Sequence, residues 1–116
     1  MEVQIFGTKN CAETRKALRF FKERRIRTHF VDLKERPASA GELKRFVQKF
    51  GAEKLLDRES KRFRERGLHA AHLPEARILP LLEDEPALLV TPLLRAGNLL
   101  AIGWDEPQWR EWTAAS

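Results

Sequence analysis

The stretch VQIFGTKNCAETRKALRFFKERRIRTHFVDL, Val3–Leu33, holds the reading on which the fold turns. VQIF is short, partly β-branched and closed by Gly7, which predicts a strand. Asn10 is a good N-cap with Glu13 three residues later, so a helix is expected to start there with Cys11 at its first position. Thr14, Ala17, Leu18 and Phe21 lie on one stripe at helical spacing. The cations Arg24, Arg25 and Arg27 suit the C-terminal end of that helix. THFVDL, Thr28–Leu33, predicts a second strand. A β-α-β unit implies a right-handed crossover between parallel strands.

Downstream, Pro37 marks a break. Ser39 with Glu42 forms a capping box ahead of an apolar face of Leu43, Phe46, Val47 and Phe50, and Gly51 stops that helix. Residues 52–86 read as an irregular helical excursion, anchored by Leu55, Leu56 and Phe63. In it, Pro80 must kink or restart a short helix around Ile78–Leu82. LLR and LLAIG, joined through Ala96-Gly97-Asn98, predict an antiparallel hairpin. Asp105, with Gln108 at the third position, caps a last helix, and Trp109 and Trp112 pack it down. The order is β-α-β-α, a helical excursion, then β-β-α. It predicts a single α/β domain over residues 1–116. Its thioredoxin-like fold has a four-stranded mixed sheet, flanking helices and a helical insertion between the second helix and the C-terminal hairpin.

At 116 residues and 42% hydrophobic, the chain has enough apolar material for a core without staples. One cysteine makes no internal disulfide, which argues for a reducing, cytoplasmic setting or for a thiol that pairs with another molecule. The opening MEVQIFGTKN lacks a basic lead and a long apolar core, so no secretory leader is expected. The longest apolar run, ALLVTPLL, falls well short of the ~20 residues of a membrane span. The net charge is +5. Basic residues crowd Lys9–Arg27 and Arg58–Arg66, and a solvated surface is the expectation. Aromatics do not alternate with these cations, so nucleic acid is not an expected partner. His29, His69 and His72 offer too few ligands for a metal site, and none is expected.

Cys11 is the chemical focus. Unpaired amide groups at a helix start favour an anion, and the thiolate is the nucleophilic form of a cysteine. Lys9 and Arg15 add positive potential. Glu13 opposes it unless the cap occupies it. In a thioredoxin-like sheet, Thr91-Pro92 faces the cysteine loop. A cis bond there would offer the Thr91 backbone to an extended peptide or to glutathione.

The segments FGTKNCAETRKAL, THFVDLKE, PASAGELKRFVQKFG, LLDRESKRFRERGL and TPLLRAGNLLAIGWDEPQW, taken in order, resemble the arsenate-reductase-like (ArsC/Spx) family. The loop Gly7-Thr8-Lys9-Asn10-Cys11 is similar to the G-x-K-N-C of its single-cysteine, glutathione-dependent reductase-like (YffB-type) members. The resemblance implies that Cys11 attacks an oxyanion or a disulfide. Arg15 completes a Cys-x-x-x-Arg pattern. Lys9, Asn10, Thr91, Pro92, Arg58 and Arg95 are the implied substrate- or glutathione-binding residues, Arg95 if the hairpin presents it. No bound cofactor is implied. Glutathione is the implied co-substrate, and glutathione or a glutaredoxin the resolving partner. Thr91 and Gly103 stand near places where the arsenate enzymes carry arginines, which tilts the expectation toward a thiol/disulfide or glutathione-linked role. The alternatives are an Spx-like protein that binds an RNA polymerase subunit, and a relic that kept the fold and lost the chemistry.

Overall fold

The computed structural model describes residues 1–114. The chain forms two compact units, one made of Met1–Arg36 with the chain from Thr91 onward, the other of Pro37–Val90.

In the first unit, β1 (Glu2–Gly7), β2 (Arg27–Asp32), β3 (Leu93–Ala96) and β4 (Leu99–Ile102) form one sheet in the order β2-β1-β3-β4. β1 runs parallel to β2, with Phe6 opposite Val31. β1 is antiparallel to β3, and β3 to β4. This is the mixed, thioredoxin-like sheet expected from the sequence. The crossover is α1 (Ala12–Glu23), and α5 (Glu106–Ala114) closes the unit. Val3 and Ile5 alternate with Gln4 along β1 and enter one core with Ala17, Phe20 and Phe21 of α1, Leu94, Ala96 and Ala101 of the hairpin, and Trp109 and Trp112 of α5. Phe20, Phe21 and Trp109 meet at ring-centroid distances of 5.0–5.9 Å, in the range of favourable aromatic pairs. The hairpin turns through Gly97 at φ 61, a left-handed conformation that glycine adopts without steric cost. Asp105 caps α5 by accepting the Gln108 N–H at 3.3 Å.

α1 begins one residue later than the sequence suggests. Thr8–Cys11 closes a turn in which the Cys11 N–H donates to the Thr8 carbonyl at 3.1 Å. Asn10 lies inside that turn, and Cys11 itself is the N-cap (φ −82, ψ 118) without a side-chain cap. The expected Asn10–Glu13 capping pair therefore does not form.

The second unit carries α2 (Ala40–Phe50), α3 (Lys61–Glu65) and α4 (Glu75–Asp84), with short 3-10 turns between and after them. The Ser39–Glu42 capping box forms in both directions, Glu42 N–H to Ser39 Oγ at 3.1 Å and Ser39 N–H to Glu42 Oε1 at 2.9 Å. Leu55, Leu56 and Phe63 are buried, as their spacing suggests. α4 runs as one helix through Pro80 rather than restarting there. The proline removes only the donor that would have reached the Ala76 carbonyl, and Ile78 and Leu82, both buried, hold the helix on either side. Among the described residues no helix is long and apolar enough to cross a membrane.

Candidate functional site around Cys11

β1 ends at Gly7, and the following turn delivers Cys11 to the start of α1. The ending is fixed by close packing. Thr14 of α1 is fully buried against Gly7, and a Cβ on Gly7 would lie 2.6 Å from Thr14 Cγ2. Only glycine lets the helix approach the strand this closely. Thr14 Oγ1 has no hydrogen-bond partner. Cys11 is half-buried, and its carbonyl accepts the first helical bond from the Arg15 N–H at 3.1 Å.

Three groups reach the sulfur. The Thr91 hydroxyl donates to Cys11 Sγ at 3.2 Å. The Thr91 carbonyl and Glu13 Oε2 each lie 3.7 Å from Sγ, placed to accept its S–H. A thiol has one proton, so it serves one of these acceptors at a time. Thr91 is presented by the segment that opens β3. The Thr91–Pro92 peptide bond is cis, and the Pro92 carbonyl accepts the Gly103 N–H at 2.7 Å. That bond ties the start of β3 to the residue that follows β4.

Of the residues singled out in the sequence, the structure brings Cys11, Thr91 and the Lys9–Asn10 turn together. Arg15 Nη1 donates to the Lys9 carbonyl at 2.7 Å, so its guanidinium braces the cysteine turn from the helix side. Arg95 is not brought there. It pairs with Gln4, one step past the Ile5–Leu94 pair and away from the Gly7 end, and its Nε donates to the Gly97 carbonyl at 2.9 Å. There it lines an open depression of about 620 Å³ with Gln4 and His29. The reason is strand register, which leaves Leu93 rather than Arg95 near the cysteine end of the sheet. Arg58 belongs to the helical unit, where its Nε donates to Glu53 Oε1 at 2.6 Å and its guanidinium lies 5.6 Å from the Phe63 ring centroid. Among the described residues no group of His, Cys, Asp and Glu side chains is arranged to hold a metal ion.

Residues 6–112, nearly the whole chain and including this site, match the ArsC family. The chain belongs to the ArsC family. Within it, the chain is 30% identical over 105 residues to an arsenate reductase of Neisseria meningitidis, covering 88% of this chain and 90% of that protein. It is 29% identical over 113 residues to the global transcriptional regulator Spx 2 of Oceanobacillus iheyensis, covering 96% and 83%. Among solved structures, a YFFB protein superposes with a TM-score of 0.86 at 24% identity, covering 94% of this chain and 96% of the other. The arsenate reductase from Vibrio cholerae does so with a TM-score of 0.81 at 21% identity, covering 96% and 97%. These two likenesses establish the ArsC-type fold.

Two features of this ArsC-family site escape a reading of the sequence alone. Glu13 looks like a capping partner, and its carboxylate turns instead to the sulfur. The signal for this is the missing cap: once Cys11 is the N-cap, Glu13 has no Asn10 backbone to hold. The Gly7–Thr14 contact is invisible without the crossover geometry, because seven positions of chain separate two residues that touch.

Proposed function

We propose that the protein is a thiol-dependent reductase of the ArsC family in which Cys11 is the single nucleophile and glutathione the resolving thiol. The observation that carries this reading is the setting of the sulfur. It sits at the start of a helix, and it receives a hydrogen bond from the Thr91 hydroxyl at 3.2 Å. The Cys11 thiolate attacks one sulfur of a substrate disulfide, forming a Cys11 mixed disulfide and releasing the other sulfur as a thiolate. A glutathione thiolate then attacks the outer sulfur of that mixed disulfide and returns Cys11 as a thiolate, with the substrate fragment leaving as a glutathione disulfide. No second cysteine exists in the chain to do this work, which supports an external resolving thiol. Lys9, Asn10 and Arg15 shape the turn that carries the sulfur, and Thr91 with Pro92 forms the opposing wall. Thr91 presents no cation to an oxyanion, which favours a thiol/disulfide substrate over arsenate. Such chemistry belongs in a reducing compartment, the cytoplasm.

Intact-mass spectrometry of the protein after incubation with oxidised glutathione, with and without arsenate, tests the proposal. A Cys11–glutathione adduct that free glutathione removes is the expected result. A folded protein that forms no adduct in either sample, and none with the neutral disulfide 4,4′-dithiodipyridine, overturns it.

The 29% identity to a global transcriptional regulator favours a second reading, in which the chain binds an RNA polymerase subunit. Retention of polymerase subunits from extract on the immobilised protein, with wild type and Cys11→Ala compared, tests that reading.

A further inference from the structure

We propose that Glu13 makes the Cys11 site selective by charge, slowing its reaction with anionic disulfides and favouring neutral or cationic ones. The inference rests on the reading of Cys11 as a nucleophile and names the substrate class of that same site. Among the described residues, the Glu13 carboxylate is the one ionic group within hydrogen-bond reach of the sulfur, with Oε2 at 3.7 Å. The other partners of the sulfur are the hydroxyl and carbonyl of Thr91, both neutral. The nearby cations are held differently. Arg15 is turned back onto the Lys9 carbonyl at 2.7 Å, and Lys9 itself is exposed.

A substrate sulfur attacked by Cys11 must come to bonding distance of Sγ. Charges carried near that sulfur then lie within several ångströms of the carboxylate, at the half-buried rim where screening by water is incomplete. An anionic disulfide meets repulsion there and a cationic one attraction. The resolving thiolate is less affected, because it attacks the outer sulfur of the mixed disulfide, one S–S bond of roughly 2 Å farther from the carboxylate. The resulting preference is for a disulfide flanked by neutral or basic groups, such as a cysteine in a basic peptide segment. Free anions of the arsenate type are disfavoured by the same charge.

The test measures second-order rates of mixed-disulfide formation at Cys11 by intact mass, with a dianionic disulfide (5,5′-dithiobis(2-nitrobenzoate)), a neutral one (4,4′-dithiodipyridine) and a dicationic one (cystamine). Each rate is divided by that of N-acetylcysteinamide with the same reagent. The Glu13→Gln variant keeps size and helix position while removing the charge. The normalised cystamine-to-dithiobisnitrobenzoate ratio is expected to fall about fivefold in Glu13→Gln, with the neutral reagent in between. Raising the salt concentration is expected to shrink the wild-type ratio toward that of the variant. A purely structural role for Glu13 would change stability and leave the ratio unmoved. Equal ratios in wild type and Glu13→Gln, with both proteins reactive, overturn the charge inference and leave the nucleophile reading standing. A folded wild type that reacts with none of the three reagents overturns both.

Discussion

The Thr91 hydroxyl donates to the Cys11 sulfur at 3.2 Å, although eighty residues of chain separate the two. Sheet order explains how they meet. β1 lies between β2 and β3 and runs antiparallel to β3, so the end of β1 and the start of β3 lie side by side at one end of the strands, and each delivers its residue to the same point.

Thr91→Val keeps the branched shape and deletes that donor. On the proposed mechanism the hydroxyl bonds the sulfur in its attacking, thiolate form, and hydrogen bonds to charged groups contribute about 1.5–3 kcal/mol. Half-exposure reduces that, so the rate of Cys11 adduct formation with oxidised glutathione is expected to fall about three- to tenfold. Unfolding in urea should shift little. An unchanged adduct rate would remove Thr91 from the site.

The Gly7–Thr14 contact predicts a compensating pair of substitutions. Gly7→Ala drives a methyl group into the Thr14 side chain, 2.6 Å from Cγ2. Overpacking of this kind costs about 1–3 kcal/mol. Thr14→Ala removes the two atoms nearest the new methyl, along with a hydroxyl that is buried without a partner. The double variant is therefore expected to recover most of the stability lost by Gly7→Ala. Urea denaturation of all four proteins closes the cycle, and strict additivity would show that the two positions do not communicate.

The sequence carried the elements because each has a local cause. Ser39 and Glu42 sit at capping spacing, Gly97-Asn98 joins two apolar runs, and Asp105 precedes Gln108 by three. In each case the deciding contact spans a few residues, and the structure forms it. The meeting of the Gly7–Cys11 loop with Thr91–Pro92 was legible from the family resemblance and the strand order. The site was not legible where a longer-range term won. The Thr8–Cys11 turn consumed the Cys11 N–H and moved the helix start past Asn10, which freed Glu13 to face the sulfur. Arg95 was placed by the β1–β3 register, which no pattern within the hairpin reveals.

Ser39→Ala tests the best-formed cap in the chain. It deletes the oxygen that accepts the Glu42 N–H and leaves the bond from the Ser39 N–H to Glu42 Oε1 in place. Loss of an N-cap of this type costs about 1 kcal/mol. Hydrogen exchange should rise first in the opening turn of α2, around Glu42 and Leu43, with the Cys11 adduct rate unchanged. Protection equal to that of wild type in this turn would mean that the box contributes nothing.

Ion pairs in this charge-rich chain differ in worth, and Glu85 separates the cases. Its carboxylate, 16% exposed, accepts from Arg62 at 2.6 Å and also pairs with Arg66. Arg27 and Glu2 lie 3.9 Å apart with side chains 81% and 54% exposed. An exposed single pair of that kind contributes about 0–1 kcal/mol, with the longest and wettest near zero. At Glu85 the carboxylate is largely desolvated and two guanidinium groups converge, so its removal leaves two cations facing each other without a counter-charge. Glu85→Gln is therefore expected to lower the unfolding free energy by about 1–2 kcal/mol and Glu2→Gln by less than about 0.3. Added salt screens the repulsion between Arg62 and Arg66, so the Glu85→Gln deficit should narrow between 0.05 and 0.5 M salt, taken as roughly a threefold drop in Debye length. Urea titrations at both salt concentrations measure this, and equal costs for the two variants would show that convergence on Glu85 adds no stability.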